Sequence, residues 1–179
     1  MTMALRDQFL AGMSTAACTV SIVTTDGTAG RQGATVSAMS SVSADTPQPT
    51  LLVCINETSA TAQAIKVNGV FCVNLLRDDQ SGISDCFAKR WTTGDGDKFS
   101  CATWVPDVNG SPRVVDGLVA FSCTLSSWKK IGTHYVFFGE VQDVALATEG
   151  SPLIYANRAY RSAVPIAPRS APASGCNAS

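Results

Sequence analysis

His134 is the single histidine of this chain, and it directly follows Gly132 and Thr133. A hydrolytic triad would have to be built on it, yet no G-x-S-x-G elbow offers a nucleophile. Seven cysteines (Cys18, Cys54, Cys72, Cys86, Cys101, Cys123 and Cys176) are scattered without a C-x-x-C pair. With one histidine a zinc site would be nearly all cysteine, and the spacing supplies no such cluster. Most of these thiols sit in apolar stretches and read as small buried hydrophobes. His134 itself reads either as a hydrogen-bonded strand residue or as a group that orients a bound molecule.

Hydroxyls are the denser signal. In "GATVSAMSSVS", Gly33 to Ser43, five of eleven positions carry one and nearly all the side chains are small. Such a segment lets a flat ligand approach the backbone while amides and Ser/Thr oxygens hold its polar edge. Read more simply, Thr35, Ser37 and Ser41 are the solvent face of a strand. Downstream, "NETSAT" places Ser59, Ala60 and Thr61 at the start of a helix, where free N–H groups and two hydroxyls suit a phosphate. Ordinary capping of that helix explains the same residues.

These residues need elements to hold them. Leu5, Phe9 and Met13 recur at intervals of four, which predicts a short amphipathic helix laying one face on the rest of the fold. The period then falls to two in "CTVSIVTT", a half-buried strand, and "DGTAG" turns the chain into the hydroxyl-rich segment as the returning strand of a hairpin. "DTPQPT" breaks regular structure, "LLVCI" reads as a short strand buried on both faces, and a helix carrying Ala62, Ala64 and Ile65 follows Ser59. "GVFCVNLL" is a further strand. A short helix opens at Asp78 and Asp79, whose charge suits the positive end of the helix dipole, and "TTGDGDKF" is a loop. "LVAFSCTL" alternates cleanly, "KKIG" turns it back into "THYVFFGEVQDVAL", and "PLIYANRAYR" closes the ordered part.

The 179 residues suit one domain, predicted over residues 1–161, with a Pro-, Ala- and Ser-rich tail over 162–179 expected to be disordered. Six or more strands with few, short helices favour a mainly β fold, a closed or partly closed antiparallel barrel, over a doubly wound sheet. Neither a G-x-G-x-x-G turn after a strand nor a P-loop is present. The formal net charge of -1, with no dense Lys/Arg block, argues against nucleic-acid binding. No apolar run approaches the roughly 18 residues of a membrane helix. The N-terminus lacks the uninterrupted apolar stretch of a secretory signal, so a cytoplasmic location is expected.

Taken in order, "GATVSAMSSVS", "PTLLVCINETSAT", "FCVNLL", "DKF", "GTHYVFFGEV" and "PLIYANRAYR" resemble the flavin reductase family that serves two-component flavin-dependent monooxygenases. The likeness runs from Leu5 to Arg161. It is most similar to reductases partnered with aromatic hydroxylases, those acting on phenols, chlorophenols or hydroxyphenylacetate. The resemblance implies a six-stranded split β-barrel of the FMN-binding type, a homodimer, and an NAD(P)H:flavin oxidoreductase in which NADH reduces FAD or FMN. The reduced flavin then diffuses to an oxygenase component.

Carried over by position, Thr35, Ser37 and Ala38 would line the isoalloxazine, with Ser41 and Ser43 nearby. Asn56, Ser59, Ala60 and Thr61 would take the ribityl chain and phosphate, and Phe87, Ala88 and Lys89 would close over the phosphate side. His134, the candidate catalytic residue, would surround the nicotinamide with Tyr155, Arg158 and Tyr160. Ala34 departs from the pattern, since many relatives carry Met there. No acid–base dyad is required, because the cofactors hold the reactive groups. Two other readings share the architecture: a non-catalytic flavin- or haem-binding barrel, and a pyridoxamine-phosphate-oxidase-like enzyme.

Overall fold

A computed structural model describes residues 4–166. The chain runs through α1 (Leu5–Thr15), β1 (Cys18–Thr19), β2 (Ser21–Thr25), β3 (Gln32–Val36), β4 (Met39–Ser43), β5 (Thr50–Asn56), α2 (Ala60–Asn68), β6 (Val70–Leu75) and α3 (Ser81–Phe87). A 3-10 turn (Lys98–Cys101) leads to β7 (Trp104–Pro106), β8 (Pro112–Val114), β9 (Val119–Ile131), β10 (His134–Leu146), β11 (Leu153–Ala156) and β12 (Ala159–Ser162). The fold is mainly β, as expected.

Its main sheet has seven strands rather than six, all antiparallel, in the order β3-β2-β6-β9-β10-β5-β4. The edge strands β3 and β4 are neighbours in sequence, separated only by Ser37 and Ala38. Laid flat, seven strands would put those edges roughly 29 Å apart at ordinary strand spacing. The three peptide steps from Val36 to Met39 reach about 11 Å. The sheet must therefore curl until its edges meet, which makes a barrel. No ladder joins β3 to β4 among the described residues, so the barrel is split along that seam, while the Cys54 N–H, donating to the Ala38 carbonyl at 3.0 Å, carries the β4–β5 pairing one residue pair further.

This corrects the reading of Gly33–Ser43 as one returning strand. Its first half pairs with β2 and its second half with β5, on opposite edges of the sheet. A segment that is small on both faces carries little preference for one register, so the sequence pattern does not show the break.

Two apolar clusters fill the structure. One lies inside the barrel, where Val23, Val53, Phe71, Val73 and Phe137 meet Ala62 and Ile65 from α2. Phe71 requires the glycine opposite it: a Cβ at Gly139 would lie 2.4 Å from its ring and 2.9 Å from the Cys123 Cβ. Gly139→Ala is therefore expected to destabilise the fold by about 1–3 kcal/mol through overpacking, read as a lower midpoint in thermal or denaturant unfolding. The second cluster joins Ile22, Leu76, Phe87, Phe99 and Leu153, with Trp104 against it. The rings of Phe87, Phe99 and Trp104 stand 5.0 to 5.4 Å apart at tilted and edge-on angles, an arrangement aromatic quadrupoles favour.

Three further expectations change. The helix α1 forms, but no residue of it is buried, and Leu5, Phe9 and Met13 are 81%, 62% and 51% exposed. Among the described residues, nothing buries its apolar stripe. The turn after β9 falls not at "KKIG" but at Gly132–Thr133, with Gly132 at φ +56°, so β9 and β10 run thirteen residues each; past Thr124 β9 is laddered only to β10 among the described strands, while β10 stays paired with β5 as far as His134. The helix predicted at Asp78 starts at Ser81, because Asp79 pairs with Arg77 at 2.6 Å instead of opening the helix.

The six described cysteines are free thiols, three of them buried. Burial pushes Cys123 up to about 12, which keeps it protonated and inert. Cys176 and residues 167–179 of the expected tail lie outside the described residues.

Candidate functional site

The seam that splits the barrel is also where the sequence-predicted residues gather. A cavity of about 350 Å³ is walled by Ala34 to Ala38 on one side and by Cys54, Asn56, Ser59 and His134 on the other. A second, of about 180 Å³, lies across the same strand and is lined by Thr35, Ser37, Ser84, Ala88, Arg90, Tyr155 and Tyr160. Thr35 and Ser37 belong to both, so the end of β3 is a partition at which the two cavities adjoin. Because β3 is an edge strand, its outer amides and carbonyls are free of a ladder partner on that side and can meet a ligand.

Each wall has a local cause. The Thr35 hydroxyl donates to the Ser84 carbonyl at 2.7 Å, tying β3 to α3. Gly33 lets that packing close up, since a Cβ there would stand 2.6 Å from the Phe87 ring. At the start of α2 the Ser59 hydroxyl accepts the Thr61 N–H at 3.3 Å, and Gly69 ends the helix at φ +71°. The capping reading is thus satisfied, while Ser59 still faces the cavity. Asn56 folds its side-chain oxygen onto the Thr58 amide and hydroxyl at 2.9 and 2.8 Å, tightening the approach to α2. His134 pairs in register with Asn56 across β5 and is exposed, its Nδ1 3.1 Å from the Thr133 hydroxyl. Burial raises the Cys54 thiol, so the cavity contains no ready nucleophile.

The structure thus brings together Thr35, Ser37, Ala38, Asn56, Ser59 and His134 in one cavity, and Ala88, Tyr155 and Tyr160 in the adjoining one. Others stand apart from both. Ser41 and Ser43 lie further along β4, opposite Leu51 and Thr50. Ala60 and Thr61 belong to the first turn of α2, and Thr61 is buried. Phe87 is a core residue, and Lys89 lines a separate cavity with Arg31, Trp91 and Lys98. Arg158 sits in the exposed two-residue turn between β11 and β12, where Asn157 and Arg158 adopt φ of +52° and +59°.

Sequence reasoning missed Arg90, Asp85 and Ser84. The Tyr160 hydroxyl donates to Asp85 Oδ1 at 2.6 Å and lies 2.9 Å from the buried Ser84 hydroxyl. Burial, then that bond to Asp85, raises the phenol and keeps it a donor. Asp85 in turn pairs with Arg90 at 2.9 Å. The acid and base five residues apart in "SDCFAKR" were the available signal.

Fold and site define a split antiparallel barrel with paired clefts on either side of a small-residue strand. The chain belongs to the flavin reductase like domain family, whose sequence pattern matches residues 13–163. It is 41% identical over 155 residues to the FMN reductase (NADH) RutF of Ancylobacter novellus, covering 87% of this chain and 83% of that protein. The RutF of Acinetobacter baylyi is 38% identical over 152 residues, covering 85% and 79%. Among solved structures, the flavin reductase PheA2 superposes with a TM-score of 0.80 at 28% identity, over 91% of this chain and 100% of that one. BorF, the flavin reductase component of a bacterial two-component tryptophan halogenase, gives 0.77 at 27% identity over 87% and 97%.

Proposed function

We propose that this chain is an NADH-dependent flavin reductase that reduces FMN or FAD and releases the product to an oxygenase component. The observation that supports this best is the partition formed by Thr35 and Ser37, at which the two cavities adjoin, in a chain of this family. The residues suit a flavin. Ala34, Ser37 and Ala38 project little, so a flat ring can reach the edge-strand backbone, and Ser59 with the start of α2 stands within the same cavity for a phosphate.

When both are bound, the reduced nicotinamide supplies a hydride and the flavin accepts it. The chain's part would be to bring the two rings together and to keep water out. Thr35, Ser37 and Ala38 would set the plane of one ring, and His134, on the far wall, would set the approach of the other. No side chain need move a proton for this, which suits a cavity whose single thiol is held protonated and whose single imidazole is exposed.

The test is purified protein mixed with NADH and free FMN or FAD, followed at the NADH absorbance band. Catalytic NADH oxidation supports the reading. Absence of turnover above the free-flavin background would leave a flavin- or haem-binding barrel, or a pyridoxamine-phosphate-oxidase-like enzyme. His134→Ala is expected to raise the NADH KM or lower turnover by about tenfold, the scale of one lost positioning contact. Unchanged kinetics would remove His134 from the site.

Release to a partner sets an upper limit on affinity, so flavin is expected to bind with Kd near micromolar, about -8 kcal/mol, and to be lost on dialysis. We also assign a homodimer, supported by the uncovered apolar stripe of α1 and by exposed Trp128 and Ile131 at the end of the long hairpin. Light scattering giving twice the chain mass would support it. No helix among the described residues is long and apolar enough to cross a membrane. We place the enzyme with the NADH pool of the cytoplasm and assign reductase activity to residues 1–161, so a chain lacking 167–179 should keep full turnover.

A further inference from the structure

Arg90 lines the smaller cavity and is fixed there from several sides. Its Nη1 donates to Asp85 Oδ1 at 2.9 Å and lies 3.4 Å from the Tyr160 hydroxyl, while Nη2 lies 3.4 Å from the Tyr155 hydroxyl. Its guanidinium carbon stands 5.7 and 5.6 Å from the centroids of the same two rings. Asp85 is itself held by the Tyr160 hydroxyl, which rests beside the buried Ser84. Ordering so long a side chain costs rotamer entropy, and here a carboxylate and two phenols order it while leaving it half-exposed. Its Nε–H and one Nη2–H meet no partner among the described residues. A fork of that kind matches paired phosphate oxygens.

The proposed reaction requires two anions to be held at once, the flavin phosphate and the diphosphate of the nicotinamide dinucleotide. The larger cavity offers one place, at Ser59 and the start of α2; the smaller one, across the partition, offers the other. Resting on the flavin reductase reading, we propose that Arg90 binds the diphosphate of NADH, whose nicotinamide end lies against Thr35 and Ser37. Asp85, Tyr155 and Tyr160 act as positioning residues for it.

Steady-state kinetics of Arg90→Gln and Arg90→Lys test this. If the diphosphate is that of NADH, KM for NADH with FMN rises about tenfold or more, while KM for reduced nicotinamide mononucleotide, which lacks a diphosphate, stays unchanged. A rise in KM for FAD without one for NADH overturns the assignment. The NADH pattern supports it, and Arg90→Lys, keeping the charge without the fork, should recover part of the loss. Equal changes for mononucleotides and dinucleotides, or none, overturn it in favour of a purely structural role. Should Arg90→Gln fail to fold, inorganic pyrophosphate gives a reading on the wild type: competition with the dinucleotide supports the site, and no competition at millimolar concentration opposes it. Wild-type NADH oxidation is measured in the same series, so failure of the Arg90 assignment is separable from failure of the reductase reading.

Discussion

Ser37→Tyr is expected to lower turnover more than a hundredfold while leaving the unfolding midpoint within a degree or two of wild type. Ser37 is the residue at which the two cavities meet, and it is exposed in the link between β3 and β4, outside either ladder. A phenol there meets no core packing, so it costs little stability, but it fills the space where both rings would have to lie. Near-attack geometry tolerates errors of about 1 Å before rates fall by about two orders of magnitude, and a tyrosine side chain is several times longer. Kinetics with NADH and FMN, together with a thermal melt, decide it. A variant that keeps wild-type turnover would show that the rings do not meet at this partition.

Phe87→Ala should have the opposite profile. Phe87 is 4% exposed, packs against Phe99 and Trp104, and abuts Gly33 across the end of β3. Removing a buried ring of this kind costs about 3–5 kcal/mol through lost transfer energy and the cavity left behind. The loss should appear in denaturant unfolding with the m-value unchanged. A cofactor contact would behave differently, with flavin affinity falling and stability retained. That second result would return Phe87 to the role its sequence position suggested and remove it from the core.

The contrast between these residues shows what could be read from the chain. The period of two in "CTVSIVTT" and the apolar run "FCVNLL" placed β2 and β6, but β2 is buried on both faces and not half-buried, because the second cluster and the polar partners of Thr24 and Thr25 cover its other side. Ser59 marked the start of α2 because its oxygen is a local partner for an amide two residues away, so the signal lies within one turn of chain. The break at Ser37–Ala38 left no such mark. Both of its flanks are small and hydroxylated, and what separates them is the distribution of partners, β2 on one side and β5 on the other, which is a property of the closed sheet.

Arg90 was illegible for a related reason. Its aromatic partners Tyr155 and Tyr160 lie 65 and 70 residues away, and only the fold brings β11 and β12 beside the end of α3. The stripe of α1 was visible as a period of four, but the period shows that a face is apolar, not what covers it. Thirteen-residue β9 was foreshortened because Ser126 to Lys130 face solvent and lose the alternation that betrays a strand, whereas β10 was read at its full length.

A cylinder whose edges β3 and β4 are joined by covalent continuity and by no described ladder can part there while every neighbouring ladder stays intact. Small widening motions are therefore cheapest at the slot where, on the proposed reading, a reduced ring would slide out, so exit of product and cohesion of the remaining strands would be mechanically uncoupled.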